Sequence, residues 1–143
     1  LRDIKIVRKS NIWFTAPVPY DPDQPWYTNS VVAVSTQKTP VALMRTLLEI
    51  EKLFGRIRTY KNAPRKLDLD LLAYDSLCAI TPDLTVPHER MHQRAFVLNP
   101  LKEVEANWTH PRTGEHIDVL LSKIPQDQQA TLESPEKSYV SAE

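Results

Sequence analysis

Hydrophobic and polar positions in the first part of the chain predict strands separated by a loop. Apolar side chains alternate well enough over residues 4–7 and 10–15 to predict an extended region. The β-branched run at 27–34 predicts a further strand. Between them, residues 16–25 contain four prolines, a composition that predicts a loop with a restricted backbone.

A helix is predicted to follow, with Thr39 as its N-cap and Pro40 at its first position. Gly55 predicts the helix end. Apolar side chains recur between these signals at the helical spacing. They are Leu43, Leu47, Ile50 and Phe54.

Residues 67–74 begin with a strict alternation of Leu and Asp, which predicts a strand. In that strand Asp68 and Asp70 would point to one face, while the leucines would point to the other. Residues 84–88 predict an extended segment that ends in a proline turn.

The last third of the chain predicts two helices. Residues 91–104 have a helical pattern, which Pro100 is expected to kink or restart. A turn near Pro111 and Gly114 is expected before a short helix at 117–121.

The order of these elements favours an α+β fold with an antiparallel sheet, because no glycine-marked βαβ unit is present. The length of 143 residues fits one domain, which we expect to span residues 1–124. Residues 125–143 are mostly polar and charged and are expected to form a flexible tail.

Composition narrows the possible functions. Eighteen acidic residues balance eighteen basic ones, so no global field would attract nucleic acid or an anionic membrane. The two glycines, Gly55 and Gly114, are too far apart for a Walker or dinucleotide-binding loop. Cys78 is the only cysteine and is interpreted as a packed thiol. With no apolar run of membrane-spanning length, a cytoplasmic location is expected.

Two other sets of side chains are expected to have structural roles. The tryptophans are interpreted as packing residues; they are Trp13, Trp26 and Trp108. Three histidines are interpreted as surface residues; they are His92, His110 and His116.

Asp68 and Asp70 are the strongest candidates for chemistry. On a strand their α-carbons would lie about 6–7 Å apart. Magnesium is typically held by one or two carboxylates together with substrate phosphates. Five cations precede the pair, and Arg forks bind phosphate oxygens bidentately. These cations are Arg56, Arg58, Lys61, Arg65 and Lys66.

Two alternatives remain open at this point. The aspartates could form an acidic strand face, and the cations a solvated loop. The basic loop could also bind single-stranded nucleic acid, although only Tyr60 offers an aromatic ring for stacking.

Three blocks of the chain resemble one enzyme family. Residues 63–72 (APRKLDLDLL) resemble the signature P-R-x-L-D-L-D of the 6-hydroxymethyl-7,8-dihydropterin pyrophosphokinases. Residues 23–29 (DQPWYTN) resemble the family's D-Q-P-x-[YF]-x-N segment, and residues 86–97 (VPHERMHQRAFV) resemble its V-P-H-x-x-M-x-x-R-x-F-V segment. The blocks agree with the family in order and spacing over about residues 10–110.

The resemblance implies a ferredoxin-like antiparallel sheet with helices packed on its faces. It also implies two magnesium ions held by Asp68 and Asp70. The implied catalytic residues are Arg56, Arg65, Asp68 and Asp70. The implied contacts with ATP and its phosphates are Glu51, Arg58, Leu71, Thr85, His88 and Arg94. The implied pterin contacts are Thr15, Ala16, Val18, Tyr27, Asn29 and Phe96.

Some of these roles are more specific. Tyr27 and Phe96 would sandwich the flat pterin, and Asn29 would bind its amide edge. The segment from Thr15 would contribute mainly backbone contacts. Glu51 would help to order the acidic cluster. Arg58 and Arg65 would lie on a mobile loop that closes over ATP.

The implied reaction is the transfer of diphosphate from ATP to the pterin hydroxymethyl group, with release of AMP, in folate biosynthesis. Such a reaction needs positioning and charge stabilisation rather than a protein nucleophile. The general base stays open between Asp70 and metal-assisted acidity of the hydroxyl. A monomer that acts on ATP and the pterin, without a nucleic-acid or membrane partner, is expected.

Two alternative functions are retained. The family's opening strand and its Gly-Ser-Asn turn have no counterpart in the chain, and we expect them upstream of Leu1. A catalytically impaired pterin- or nucleotide-binding module is therefore one alternative. An RNA-binding domain is the other.

Overall fold

The computed structural model describes residues 3–16, 21–57, 67–128 and 130–132. These residues divide into two units. The first unit contains the described residues up to Thr36 and from Arg90 onward, and the second contains those of Gln37–Glu89. In chain order the elements are β1 (Ile4–Lys9), β2 (Trp13–Thr15), β3 (Tyr27–Asn29), β4 (Val32–Thr36), α1 (Pro40–Ile57), β5 (Ala79–Thr81), β6 (Leu84–Val86), α2 (Ala95–Val104), α3 (Ile117–Ser122) and β7 (Ala130–Thr131), with 3-10 helices at Met91–Gln93 and Gln126–Gln128.

The strands of the first unit form two small antiparallel sheets. In one sheet β1 pairs with β4, and the register shifts between Ile6 and Arg8. In the other sheet β2 is the central strand, with β3 on one side and β7 on the other.

The predicted strand at 27–34 is wrong as a single element, because β3 and β4 belong to different sheets. The reason lies in the hydrogen bonds of Val31. Its carbonyl accepts from the Ser10 amide at 2.9 Å, and its amide donates to the Ser10 hydroxyl at 2.9 Å. Ser10 lies between β1 and β2, and Val31 lies between β3 and β4. The chain therefore passes from one sheet to the other at both of these hydrogen-bonded residues.

Helix α2 supplies most of the buried apolar surface of the first unit. It packs against α3 and against strands of both sheets. The buried side chains of the two helices are Ala95, Val97, Leu98, Pro100, Leu101, Val104, Ile117 and Leu120. Burial of Leu- or Val-sized side chains contributes about 1.5–3 kcal/mol each, so this helix pair dominates the stability of the unit.

The predicted helix at 91–104 is interrupted at Arg94 rather than at Pro100. Arg94 has an extended backbone (φ −125°, ψ 114°) and separates the 3-10 helix from α2. Pro100 lies buried inside α2. At the other end of α2, the Arg8 Nε donates to the Val104 carbonyl at 2.6 Å, which satisfies an acceptor that the helix leaves unpaired.

Helix α1 of the second unit begins where the sequence predicts. The Thr39 hydroxyl accepts from the Ala42 amide at 3.2 Å, and the Leu43 amide donates to the Thr39 carbonyl at 2.8 Å. The predicted stop at Gly55 is wrong by two residues, since α1 continues to Ile57. A single glycine costs a helix about 1 kcal/mol relative to alanine, which a helix of 18 residues tolerates.

The predicted α+β class and its antiparallel pairing are confirmed. The described strands are distributed over three small sheets, the third being the β5–β6 hairpin of the second unit. Helix α1 packs against β6 within that unit. In the described part of the chain, no helix is both long and apolar enough to cross a membrane.

Two predictions about single residues are wrong. Cys78 is exposed and not a packed thiol. His110 is only 3% exposed, although it was assigned to the surface. Its Nδ1 accepts from the amides of Arg112 at 3.1 Å and Thr113 at 3.2 Å. The ring therefore closes the turn that ends at Gly114, whose φ of +76° favours glycine.

Burial lowers the pKa of His110 below its ordinary value of 6.5. The charges of His92 and Arg112 lower it further, whereas Glu115 opposes the shift. The unfolded chain therefore binds a proton at His110 at a higher pH than the folded chain does. The free energy of unfolding should decrease as the pH falls below 6.5 and through the folded-state pKa.

We predict that His110→Asn makes the free energy of unfolding less dependent on pH. The Asn carbonyl can replace Nδ1 as the acceptor for the two amides, but it does not titrate. Urea unfolding at about pH 7.5 and about pH 5.5 should show a smaller loss of stability for this variant than for the unaltered chain.

His116→Asn is the matched control. His116 caps α3 by accepting from the Asp118 amide at 3.0 Å, and Asn is an equally good N-cap. At about pH 7.5 the control should unfold with nearly the free energy of the unaltered chain, which shows what exchanging a His acceptor for Asn costs by itself. An unchanged dependence in His110→Asn would contradict the assignment.

Candidate functional site

The acidic segment at 67–72 keeps its predicted alternation without forming a strand. Asp68 and Asp70 are exposed, whereas Leu69 is half-buried and Leu71 is buried. The predicted strand at 67–74 is wrong. The backbone of the segment makes hydrogen bonds to a side chain and to another backbone group, and these bonds do not form the continuous ladder of a β-sheet.

Two hydrogen bonds hold this segment. The Glu51 Oε2 accepts from the Leu69 amide at 2.6 Å. The Leu72 carbonyl accepts from the His88 amide at 2.8 Å. The first bond attaches the segment to α1, and the second attaches it to the residues that follow β6. Both aspartates are thereby positioned by regular elements of the second unit.

Glu51 therefore has a positioning contact with the segment, while its implied role in ordering the acidic cluster stays a prediction. A carboxylate that accepts from a backbone amide makes a charge-assisted bond, which is stronger than a neutral one. Because Leu69 stands between the two aspartates, this bond determines the backbone position of both.

Three other residues of the second unit are candidates for contact with ATP, and they differ in exposure and in hydrogen bonding. Leu71 is only 9% exposed, so its side chain offers little surface to a ligand. Thr85 lies in β6 opposite Ile80 and is half-buried. His88 is half-buried and is attached to the acidic segment through its amide.

The pterin-side candidates lie in the first unit. Thr15 of β2 pairs with Tyr27 of β3, so directly opposite side chains share one face of the sheet. Asn29 pairs with Trp13 and lies on the same face, because the side-chain period of a strand is two. Thr15 is buried, whereas 54% of Tyr27 is exposed. Ala16 follows β2 and is half-buried.

Arg94 and Phe96 lie beside each other at the start of α2. The Arg94 guanidinium carbon is 5.4 Å from the centroid of the Phe96 ring, a cation–π contact. The contact fixes the ring and leaves Arg94 close to it. The sandwich of a flat ligand between Tyr27 and Phe96 stays a prediction.

Several predicted site residues lie outside the described residues. Val18, Arg58 and Arg65 are among them. Arg56 belongs to the last turn of α1, and its side chain is also outside the description.

The sequence missed Trp13 as a candidate and assigned it to packing. Its Nε1 is buried without a hydrogen-bond partner among the described residues. No spacing or motif marks this atom. The signal is the orientation of the ring on β2, which only the structure supplies.

Each unit by itself offers groups suited to one kind of ligand. The second unit presents two exposed carboxylates on a held backbone, and the first presents an exposed aromatic ring beside an amide. Within the described ranges, no group of three or more His, Cys, Asp or Glu side chains could hold a metal by itself. A metal at Asp68 and Asp70 would need further ligands from water or from a bound phosphate.

Comparison with known proteins identifies relatives. A family model described as 7,8-dihydro-6-hydroxymethylpterin-pyrophosphokinase matches residues 1–106. A Synechocystis protein named 2-amino-4-hydroxy-6-hydroxymethyldihydropteridine pyrophosphokinase is 40% identical over 118 residues, which are 82% of this chain and 60% of that protein. The Pseudomonas aeruginosa protein of the same name is 36% identical over 125 residues, covering 87% of this chain and 76% of that protein.

A longer relative also matches. The folic acid synthesis protein fol1 of Schizosaccharomyces pombe is 34% identical over 125 residues, which are 87% of this chain but 17% of that protein. The chain thus spans about 60% of the Synechocystis relative and a small part of fol1.

We predict that Glu51→Ala lowers the free energy of unfolding by about 1–3 kcal/mol, because it removes a charge-assisted hydrogen bond and leaves the Leu69 amide without its acceptor. Glu51→Gln should lose less, since its carbonyl can still accept. Urea unfolding gives the free energies, and amide hydrogen exchange at Leu69 reports the bond itself.

Glu49→Ala is the control, because Glu49 is an exposed glutamate on the same helix. It should change neither quantity by more than about 0.5 kcal/mol. Equal protection of the Leu69 amide in Glu51→Ala and Glu49→Ala would show that the carboxylate does not hold the segment.

Proposed function

The chain belongs to the 7,8-dihydro-6-hydroxymethylpterin-pyrophosphokinase family, and on that premise we propose that it transfers diphosphate from ATP to 6-hydroxymethyl-7,8-dihydropterin. The acceptor is the hydroxymethyl oxygen, and AMP is released. The activity is that of a 2-amino-4-hydroxy-6-hydroxymethyldihydropteridine diphosphokinase in folate biosynthesis. The observation that supports it best is the Glu51–Leu69 hydrogen bond, because it holds the signature segment with both aspartates exposed.

Asp68 and Asp70 would hold magnesium in this proposal, as two ions. Their carboxylates fit the ion, because magnesium is usually bound through one or two carboxylates while substrate phosphates and water complete its coordination. When bound, the metal supplies charge neutralisation to the triphosphate.

The other residues bind and orient the two substrates. Tyr27 offers an exposed ring to the flat pterin, and Asn29 offers an amide on the same face. Arg94 lies against the Phe96 ring, where one side chain could contact phosphate while the other contacts the pterin. Placing two substrates in a reactive geometry provides a large part of the rate acceleration for such transfers.

The arginines that precede the acidic segment at 67–72 would bind phosphate in this proposal. Arg56, Arg58 and Arg65 would contact the triphosphate, and their guanidinium groups match phosphate oxygens in geometry and charge. Leu71, Thr85 and His88 would contribute further contacts on the nucleotide side.

A cytoplasmic monomer that acts without nucleic acid or membrane is part of the same proposal. The balance of eighteen acidic and eighteen basic residues supports independence from nucleic acid, because that binding depends on excess positive charge.

We predict that Asp70→Asn and Asp68→Asn each reduce AMP formation from ATP and the pterin by about a hundredfold or more, since each removes one charged metal ligand. AMP is quantified by chromatography under saturating magnesium. Pterin binding, measured by calorimetry, should be largely retained.

Asp83→Asn is the matched control, because Asp83 is an exposed aspartate in the β5–β6 turn of the same unit. It should leave AMP formation unchanged. Undiminished turnover in Asp68→Asn and Asp70→Asn would refute the metal assignment. Pterin binding without any AMP formation by the unaltered chain would instead favour a non-catalytic binding module.

A further inference from the structure

Two polar atoms on β2 are buried without a hydrogen-bond partner among the described residues. They are the Trp13 Nε1 and the Thr15 Oγ1. Thr15 is 6% exposed, so its hydroxyl is well removed from solvent. Buried polar atoms in folded proteins are nearly always paired with protein, water or ligand, so each of these two calls for a partner.

The two atoms belong to one face of the sheet. Trp13 and Thr15 are two residues apart on a strand, and their side chains point the same way. Their partners on β3 are Asn29 and Tyr27, which share that face. Phe14 lies between them and points to the opposite face.

The neighbouring strand on the other side does not satisfy the Thr15 hydroxyl through the side chain opposite it. Thr15 is opposite Ala130 of β7, whose methyl group has no hydrogen-bonding capacity. The face therefore combines an indole N–H, a hydroxyl, an amide and an exposed aromatic ring. This set fits a flat heterocycle that carries hydrogen-bond acceptors.

We propose that the Trp13 indole N–H is a specificity-determining donor to the bound pterin, acting beside the Thr15 hydroxyl. The inference rests on the proposed function and deepens it, because it adds a residue that recognises the substrate. An indole N–H can only donate, so its partner is an acceptor, a ring nitrogen or the carbonyl oxygen of the pterin. The Thr15 hydroxyl can donate or accept, and therefore tolerates either kind of neighbouring atom.

In this proposal Trp13 determines which ligands bind as well as how tightly the pterin binds. A ligand that places a hydrogen-bond donor or a carbon atom at this position would leave the indole N–H buried and unpaired. Sites that hydrogen-bond a substrate reject analogues without the matching group far more strongly than apolar sites do.

Trp13→Phe tests the proposal, because it removes the N–H and keeps an aromatic ring on β2. Binding of 6-hydroxymethyl-7,8-dihydropterin is measured by calorimetry in the presence of magnesium and a non-hydrolysable ATP analogue. We expect about tenfold weaker binding, the equivalent of one hydrogen bond. In turnover, the KM for the pterin should rise while kcat changes little, as for an interaction made equally in ground and transition states.

Trp108→Phe is the matched control. Trp108 is in the same unit, and its ring makes an edge contact with His110 at 5.5 Å between centroids. It should leave the pterin dissociation constant unchanged. Melting temperatures of both variants show whether either substitution disturbs the fold.

A measurement on the unaltered chain keeps the proposal testable if Trp13→Phe does not fold. The protein is labelled with ¹⁵N at tryptophan, which gives one indole signal for each of its three tryptophans. The Trp13 signal is assigned by elimination, as the one that persists in both Trp26→Phe and Trp108→Phe. On addition of the pterin, it should move downfield and exchange its proton with solvent more slowly.

The outcomes separate this inference from the proposed function. Unchanged binding by a folded Trp13→Phe, or a Trp13 signal that does not respond to saturating pterin, would overturn the inference alone and indicate a trapped water as the partner. Failure of the unaltered chain to bind the pterin would overturn the proposed function, and the inference with it.

Discussion

The hydrogen bond from the Leu69 amide to the Glu51 carboxylate is the contact on which the position of the acidic segment depends. The position of Glu51 is set by α1, and the start of α1 is set by the Thr39 cap. The acidic segment has no strand ladder to align it, so a side chain of the helix performs that task. Without this acceptor, the backbone between Asp68 and Asp70 would lose its attachment to the helix.

The same contact leaves the two aspartates facing water. The Glu51 carboxylate accepts from the backbone amide between them, so the helix is attached to the segment without using either aspartate side chain. Asp68 and Asp70 are both exposed on either side of this attachment.

The order of strands imposes a comparable constraint on the first unit. Because β2 is paired on both edges, its register is fixed by two neighbours. A shift by one residue would move Trp13 and Thr15 to the opposite face and replace them with Phe14. The short strand β7 therefore supports the pterin-side face, although it contributes little more than backbone and a methyl group to it. The polar tail predicted for 125–143 gave no indication of this strand.

Local chemistry was predictable from the sequence, whereas pairing between distant segments was not. The Thr39–Pro40 start of α1 follows from capping rules that involve adjacent residues only. The separation of β3 from β4 depends on Ser10, about twenty residues earlier in the chain, and no pattern within 27–34 reveals it. The alternation at 67–71 correctly placed the aspartates outward, but it could not supply the ladder partners that a strand requires. His110 was misassigned because an isolated polar residue looks exposed until the turn that it closes is known.

The residues of the candidate site were also predictable only where a sequence motif marks them. Motifs identified the aspartates, the aromatic residues and the arginines, since their spacing carries the resemblance. The shifted pKa values lie at other residues. Among described residues, the lowered pKa values of His110, Glu115 and Asp118 follow from burial of the first and lysine hydrogen bonds to the other two. Those contacts stabilise the turn and helix after α2. The geometry of the described residues is therefore a better guide to the candidate site than shifted pKa values are.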